Sequence, residues 1–172
     1  HSDETSLSIG YNSLLLNLAI GGDVDKNGES KFRFTTTNLN GQRENAEGNI
    51  TIYKLKSPER AFRKRMWGKP DKFVMTKEEF YKDFPNDEYA DEGDYSKWEK
   101  EVKALDWNFN SETDSVLDLS AMKGWNQGKY LVEMTAKDKF GETVTEKVYF
   151  DAYSMGEATM GYTAFDKMSA KK

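Results

Sequence analysis

The chain has 172 residues, 37% hydrophobic and 32% charged, with a formal net charge of −5, one histidine and no cysteine. That length suits one domain, or one domain with a large insertion, and the composition suits a packed core under a mixed-charge surface. The acidic balance argues against a nucleic-acid surface, which needs clustered Lys and Arg. The lack of cysteine excludes disulfides, thiolate chemistry and Cys-based zinc sites within these residues, and no apolar run approaches the ~18 residues of a membrane span.

A first strand is expected where Leu14, Leu16 and Leu18 alternate with Leu15, Asn17 and Ala19, ending at Gly21-Gly22. Asp23-Val24-Asp25-Lys26-Asn27-Gly28 reads as a turn. Alternation resumes in Phe32, Phe34 and Thr36, and the stretch Asn38 to Asn45 has loop composition. Ile50, Ile52 and Lys54 then share one face of a strand, with Thr51, Tyr53 and Leu55 on the other.

Residues 57–98 change character and read as a helical insertion. Ser57-Pro58-Glu59 has the chemistry of a helix start, Phe62 and Met66 are spaced i, i+4, and Gly68 and Pro70 end that short helix. The basic run Arg60, Arg63, Lys64 and Arg65 is one face of it. A second helix starts at a capping box formed by Thr76 and Glu79, with Met75 and Phe80 at the staple positions. Phe80 and Phe84 share a face, and Pro85 stops the helix. Asn86 to Asp94 is acidic and turn-like.

The last third returns to β. Val102, Ala104 and Trp107 to Phe109 predict a strand, Val116 to Leu119 a short one, and Gly124 to Gly128 a loop around Trp125. Tyr130, Val132, Met134 and Ala136 share a strand face, Asp138-Lys139-Phe140-Gly141 makes a turn, and Val144, Val148 and Phe150 line the return, interrupted by Glu146. Periodicity fades beyond Ser154. The expected organisation is a domain over 1–154 and a tail or linker over 155–172. About seven strands, with turn signals roughly every ten residues, predict an all-β, antiparallel sandwich of fibronectin or immunoglobulin type.

Candidate chemistry is sparse. Asp23, Asp25, Asn27 and Gly28 match the first half of a calcium loop, but Lys31 and Phe34 stand at its ninth and twelfth positions. The turn reading is preferred. Asp87, Glu88, Asp91, Glu92 and Asp94 form an acidic cluster, read as a solvated loop rather than a carboxylate pair for hydrolysis. Trp67, Trp98, Trp107 and Trp125 offer rings on which sugars could stack, yet large side chains are also what packs helices onto a sheet. Asn49-Ile50-Thr51 is a glycosylation sequon inside a predicted strand, and reads as chance. No nucleophile–base pair can be assembled, so the chain is expected not to be an enzyme and to carry no cofactor. Trp67, Phe80 and Trp98, in the insertion, are the interaction candidates.

The segment Gly128-Lys129-Tyr130-Leu131-Val132 with Ala136-Lys137-Asp138-Lys139-Phe140-Gly141-Glu142-Thr143-Val144 resembles the last hairpin of macroglobulin-like domains, the fibronectin-type modules of the alpha-2-macroglobulin family. Gly10 to Asn17, Thr36 to Gln42, Tyr53 to Arg60 and Phe73 to Phe80 are similar to segments of the very large members of that family in Bacteroidetes. The resemblance covers roughly residues 8–153. It implies a non-catalytic scaffold domain of an endopeptidase inhibitor that traps proteases. Its partners would be sibling domains, and proteases for the whole protein. It also implies export to the periplasm or cell surface, by way of a lipoprotein anchor elsewhere in the parent. Some members carry a Cys-Gly-Glu-Gln thioester, which this cysteine-free chain cannot hold, and no bait segment or functional residue carries over. Two rival readings remain: a carbohydrate-binding or adhesin module, and a hydrolase using the carboxylates of the 87–94 loop.

Overall fold

A computed structural model describes residues 13–58, 62–63, 72 and 74–154. Among these described residues eight strands run in chain order: β1 (Leu14–Leu18), β2 (Gly22–Asp25), β3 (Lys31–Asn38), β4 (Glu47–Leu55), β5 (Lys100–Asn110), β6 (Val116–Asp118), β7 (Gly128–Lys137) and β8 (Thr143–Tyr153). They form a three-stranded sheet, β1-β3-β6, and a five-stranded sheet, β2-β8-β7-β4-β5. The fold is the all-β sandwich expected from the sequence. It differs in one strand: β2 falls on residues that read as a turn, and it pairs with β8 in parallel, whereas every other pairing is antiparallel. The chain enters the small sheet as β1 and crosses at Ala19–Gly21 to the edge of the large one.

The core follows from period two. Leu14, Leu16 and Leu18 of β1 are buried, while Leu15 and Asn17 are exposed. Phe32, Phe34 and Thr36 face inward from β3, and Ile50 and Ile52 from β4. Tyr130, Val132, Met134 and Ala136 supply the inner face of β7, opposite Phe150, Val148 and Val144 of β8. Glu146 faces Met134 in the same register and is exposed, the interruption noted in the sequence. Phe34 meets Trp107 and Phe109 edge-on, at ring-centre distances of 5.9 and 4.9 Å. Trp107 therefore belongs to the sandwich core and not to the insertion.

The hairpin of β7 and β8 shows why its residues have the types they have. Tyr130 is fully buried, stacked between Trp125 (5.2 Å) and Phe150 (5.4 Å). Its hydroxyl donates to the Asn126 carbonyl at 2.7 Å, tying the strand to the connection just before it. That is the tyrosine-corner geometry of Greek-key sandwiches. Burial, with Glu101 adding to it, pushes this hydroxyl up to about 12, so it keeps its proton and remains a donor. At the far end Asp138 accepts from the amides of Phe140 and Glu142, both at 2.9 Å, and from the Ser13 hydroxyl at 3.0 Å. Burial opposes ionisation of Asp138, but these donors outweigh it and lower its pKa. Gly141 closes the turn at φ +86°, a conformation L side chains rarely adopt.

Among the described residues every buried side-chain nitrogen and oxygen has a hydrogen-bond partner. The Thr36 hydroxyl lies 2.6 Å from the Glu44 carbonyl, which can only accept, and 2.8 Å from Ser111 Oγ. Thr36 therefore donates to Glu44. Ser111 donates to Thr36 and accepts from the Ala46 amide at 2.9 Å. This network locks the β3–β4 connection to the end of β5. Ser111→Ala strands the buried Ala46 amide, and the expected cost is about 1–3 kcal/mol, read as a lower urea midpoint at unchanged m-value. Thr36→Val in the same background adds less than it does alone, since both members serve one network.

Candidate interaction surface

Two places outside the core gather side chains of the kinds that bind: the insertion between β4 and β5, and the loop end of the sandwich farthest from it. Among its described residues the insertion contains one helix, α1 (Lys77–Asp83), and a 3-10 turn at Tyr95–Lys97. The capping box is formed on both sides: Thr76 Oγ1 accepts from the Glu79 amide, and the Glu79 carboxylate from the Thr76 amide at 2.9 Å. The expected helix at 57–67 lies mostly outside the described residues. Its four described residues are not helical: Ser57, Pro58 and Phe62 have no regular structure, and Arg63 forms an isolated parallel bridge to Asp87.

Aromatic rings give the insertion a small core of its own. Phe80 contacts Tyr89 at 5.4 Å and Phe84 at 5.2 Å, and Phe62 contacts Tyr81 at 5.9 Å. Tyr89 donates to the Met75 carbonyl at 2.7 Å. Glu92 is the polar hub. It accepts from Tyr81 at 2.7 Å, Lys77 at 2.8 Å and the Ala90 amide at 2.7 Å, while its carbonyl takes the Trp98 indole at 2.8 Å. Burial would raise this carboxyl, but the hydrogen bonds win and hold it at about 2. A pKa lowered on folding stabilises fully above the ordinary value of 4.5 and is lost as pH falls toward 2. The expected outcome is that Trp98 fluorescence reports loosening of the insertion in that acid window, and that Glu92→Gln, which cannot titrate, is loosened already at neutral pH and loses the Glu92 share of the pH dependence.

The 3-10 turn docks the insertion on the outer face of the large sheet. Tyr95 packs on Tyr149 at 4.9 Å, with the Lys129 ammonium 4.5 Å from its ring and 2.7 Å from Asp151. Leu131 points to this outer face, since its neighbours Tyr130 and Val132 face inward, yet it is buried between its cross-strand partners Tyr53 and Tyr149.

Of the sequence candidates, Phe80 and Trp98 are half-buried parts of this small core, and Trp67 lies outside the described residues. Trp98, Trp107 and Trp125 are each half-buried in separate surroundings and offer no common stacking platform. The acidic cluster is consumed by local structure. Asp87 pairs with Arg63, Asp91 with Lys97, Asp94 caps the 3-10 turn, and Glu92 is the hub. Asp23 and Asp25 lie in β2, where Asp25 Oδ1 accepts from the Asn27 amide at 3.0 Å and Asn27 donates to Ser154 at 3.1 Å. No group of three metal-ligating side chains occurs among the described residues. The sequon residue Asn49 sits in β4, between β5 and β7, with its amide shared by Asp106 and Asn108 and its carbonyl oxygen taken by Thr51.

At the opposite end, the β3–β4 connection and the β7–β8 turn carry two exposed apolar side chains, Leu39 (68% exposed) and Phe140 (72%). Sequence reasoning passed over both. The signal was a large apolar residue in the middle of an otherwise polar turn. Comparison with protein-family models, curated proteins and solved structures found no match to the chain.

Proposed function

We propose that the chain is a non-catalytic scaffold domain of a large bacterial alpha-2-macroglobulin-like endopeptidase inhibitor, an exported protein in which it packs against sibling domains. The observation that carries this reading is the β7–β8 hairpin. The residues that resemble the macroglobulin-like motif are those that hold the sandwich together: Tyr130 at the corner, Asp138 and Gly141 at the turn. The acidic loop supports the same reading, because its carboxylates are committed to holding the insertion together. A carbohydrate-binding role has less support, since the three described tryptophans are half-buried and apart.

The test is limited digestion of the parent gene product with several unrelated endopeptidases, followed by mass mapping of the fragments. A scaffold element survives: cuts fall outside residues 13–154, and the sandwich is recovered intact. Early cleavage between Ser13 and Ser154 that leaves the rest of the protein whole would sink the reading.

A further inference from the structure

The outer face of the large sheet is divided. The insertion docks on one half, at Tyr149. The other half carries polar side chains across four strands. Asn49 of β4 lies opposite Asn108 of β5 and Thr135 of β7, with Thr145 of β8 beyond. One step along, Asn110 faces Glu47 and Lys137 faces Thr143. These positions alternate with the buried Ile50, Phe109, Ala136 and Val144, so their side chains stand on the outside. Together with Asp114 they line a trough of about 620 Å3. That volume lies within the roughly 300–1,000 Å3 of small-molecule sites.

The lining is held in place by its own hydrogen bonds. Asn49 donates to Asp106 at 2.8 Å and to Asn108 at 2.9 Å, and accepts from Thr51 at 2.6 Å. Asn110 donates to Glu47 at 3.1 Å, and its main-chain amide donates to Asp114 at 2.9 Å. Bonding capacity is left over. Asn108 spends its oxygen on Asn49, and its amide N–H groups have no partner among the described residues. The Lys137 ammonium and the Thr143 hydroxyl have none there either. Glu47 and Asp114 each keep a second carboxylate oxygen. Glu47 and Lys137 flank the paired Gly48 and Ala136, yet among the described residues they form no ion pair.

We propose that this trough binds a neutral saccharide, held by hydrogen bonds to Asn108, Lys137, Thr143 and the free oxygens of Glu47 and Asp114. Sugar hydroxyls both donate and accept, which matches a lining that offers amide, ammonium, hydroxyl and carboxylate groups together. Other ligand classes fit less well. An apolar ligand finds little to rest on, since Phe109 and Ala136 are each only 3% exposed. A polyanion meets Glu47 and Asp114. An extended peptide takes its main-chain partners along a strand edge, whereas this trough runs across paired strands. The mutual bonds of Asn49 and Asn110 order the lining beforehand, which lowers the entropic cost of binding. The site uses none of the tryptophans, and it goes beyond the scaffold reading without depending on it.

The test is an NMR titration of the intact chain with a panel of neutral oligosaccharides built from glucose, mannose, xylose, galactose and N-acetylglucosamine. At least one member is expected to shift the side-chain amide signals of Asn108 and Asn110 and the main-chain signals of Lys137 and Thr143. Asn108→Ala and Lys137→Ala, both at exposed positions, are each expected to weaken that binding about fivefold, the loss of one hydrogen bond. Thr35→Ala, exposed on the outer face of the small sheet, is expected to leave it unchanged. Silence across the whole panel overturns the proposal. Binding that moves the tryptophan indole signals and survives Asn108→Ala and Lys137→Ala also overturns it, by placing the sugar elsewhere. Equal shifts with a short polar peptide overturn the saccharide assignment. Circular dichroism of each variant verifies that the sandwich is intact.

Discussion

Tyr130→Ala lowers stability by about 3–5 kcal/mol, the range for emptying a buried aromatic site, and drops Tm by roughly 10 °C for a domain of this size. The ring is fully buried between Trp125 and Phe150, so its removal opens a cavity where the two flanking rings lose their shared partner. The hydroxyl contributes separately. Tyr130→Phe keeps the stack but leaves the Asn126 carbonyl without its donor, at an expected cost of about 1 kcal/mol. Chemical denaturation of both variants separates packing from hydrogen bonding. Equal losses in the two would mean that the stack contributes nothing, contrary to the packing described.

Gly48→Ala is the second large effect, and it works by overpacking. A Cβ at position 48 would lie 2.2 Å from the Thr135 carbonyl oxygen and 2.6 Å from the Phe109 ring. The ring could swing away. The oxygen belongs to β7, paired with β4 throughout this stretch, and can only move if the strands part. Overpacking of this kind costs about 1–3 kcal/mol and more where backbone must shift. Gly48→Ala combined with Phe109→Leu is accordingly expected to remain destabilised, because the smaller side chain relieves the ring contact and not the backbone one. Full rescue by Phe109→Leu would show that the strands at Gly48 are more yielding than the geometry implies.

What the sequence made legible was what local chemistry decides. The capping box needs only Thr76 and Glu79, three residues apart, and it formed as expected. The alternations in β1 and β7 named the buried residues directly, because one face of each strand meets the core and the other does not. Strand β2 was not legible. Gly22 to Asp25 has turn composition, and its pairing comes from β8 at the other end of the chain, which no local pattern encodes. Leu131 breaks alternation for the same kind of reason: the insertion and two tyrosines cover the outer face there. Ser111 reads as one more turn residue, and only the fold brings it to Thr36 and Ala46. The surroundings of the interaction candidates were hidden by the same limit. Phe80 and Trp98 are half-buried within the insertion, packing that only the fold reveals, while Leu39 and Phe140 are among the large apolar residues left exposed.

The central claim is that this sandwich is a passive element of a protease trap, and a size-dependent protection assay on the parent gene product tests it most directly. A protease held inside a trap is shielded from large substrates while small ones still diffuse in. The expected result is that the parent blocks digestion of a large protein by several endopeptidases, leaves hydrolysis of a short chromogenic peptide nearly unchanged, and that the present chain alone does neither. Unimpeded digestion of the large protein in the presence of the parent, or inhibition of peptide hydrolysis by this chain alone, would contradict the account.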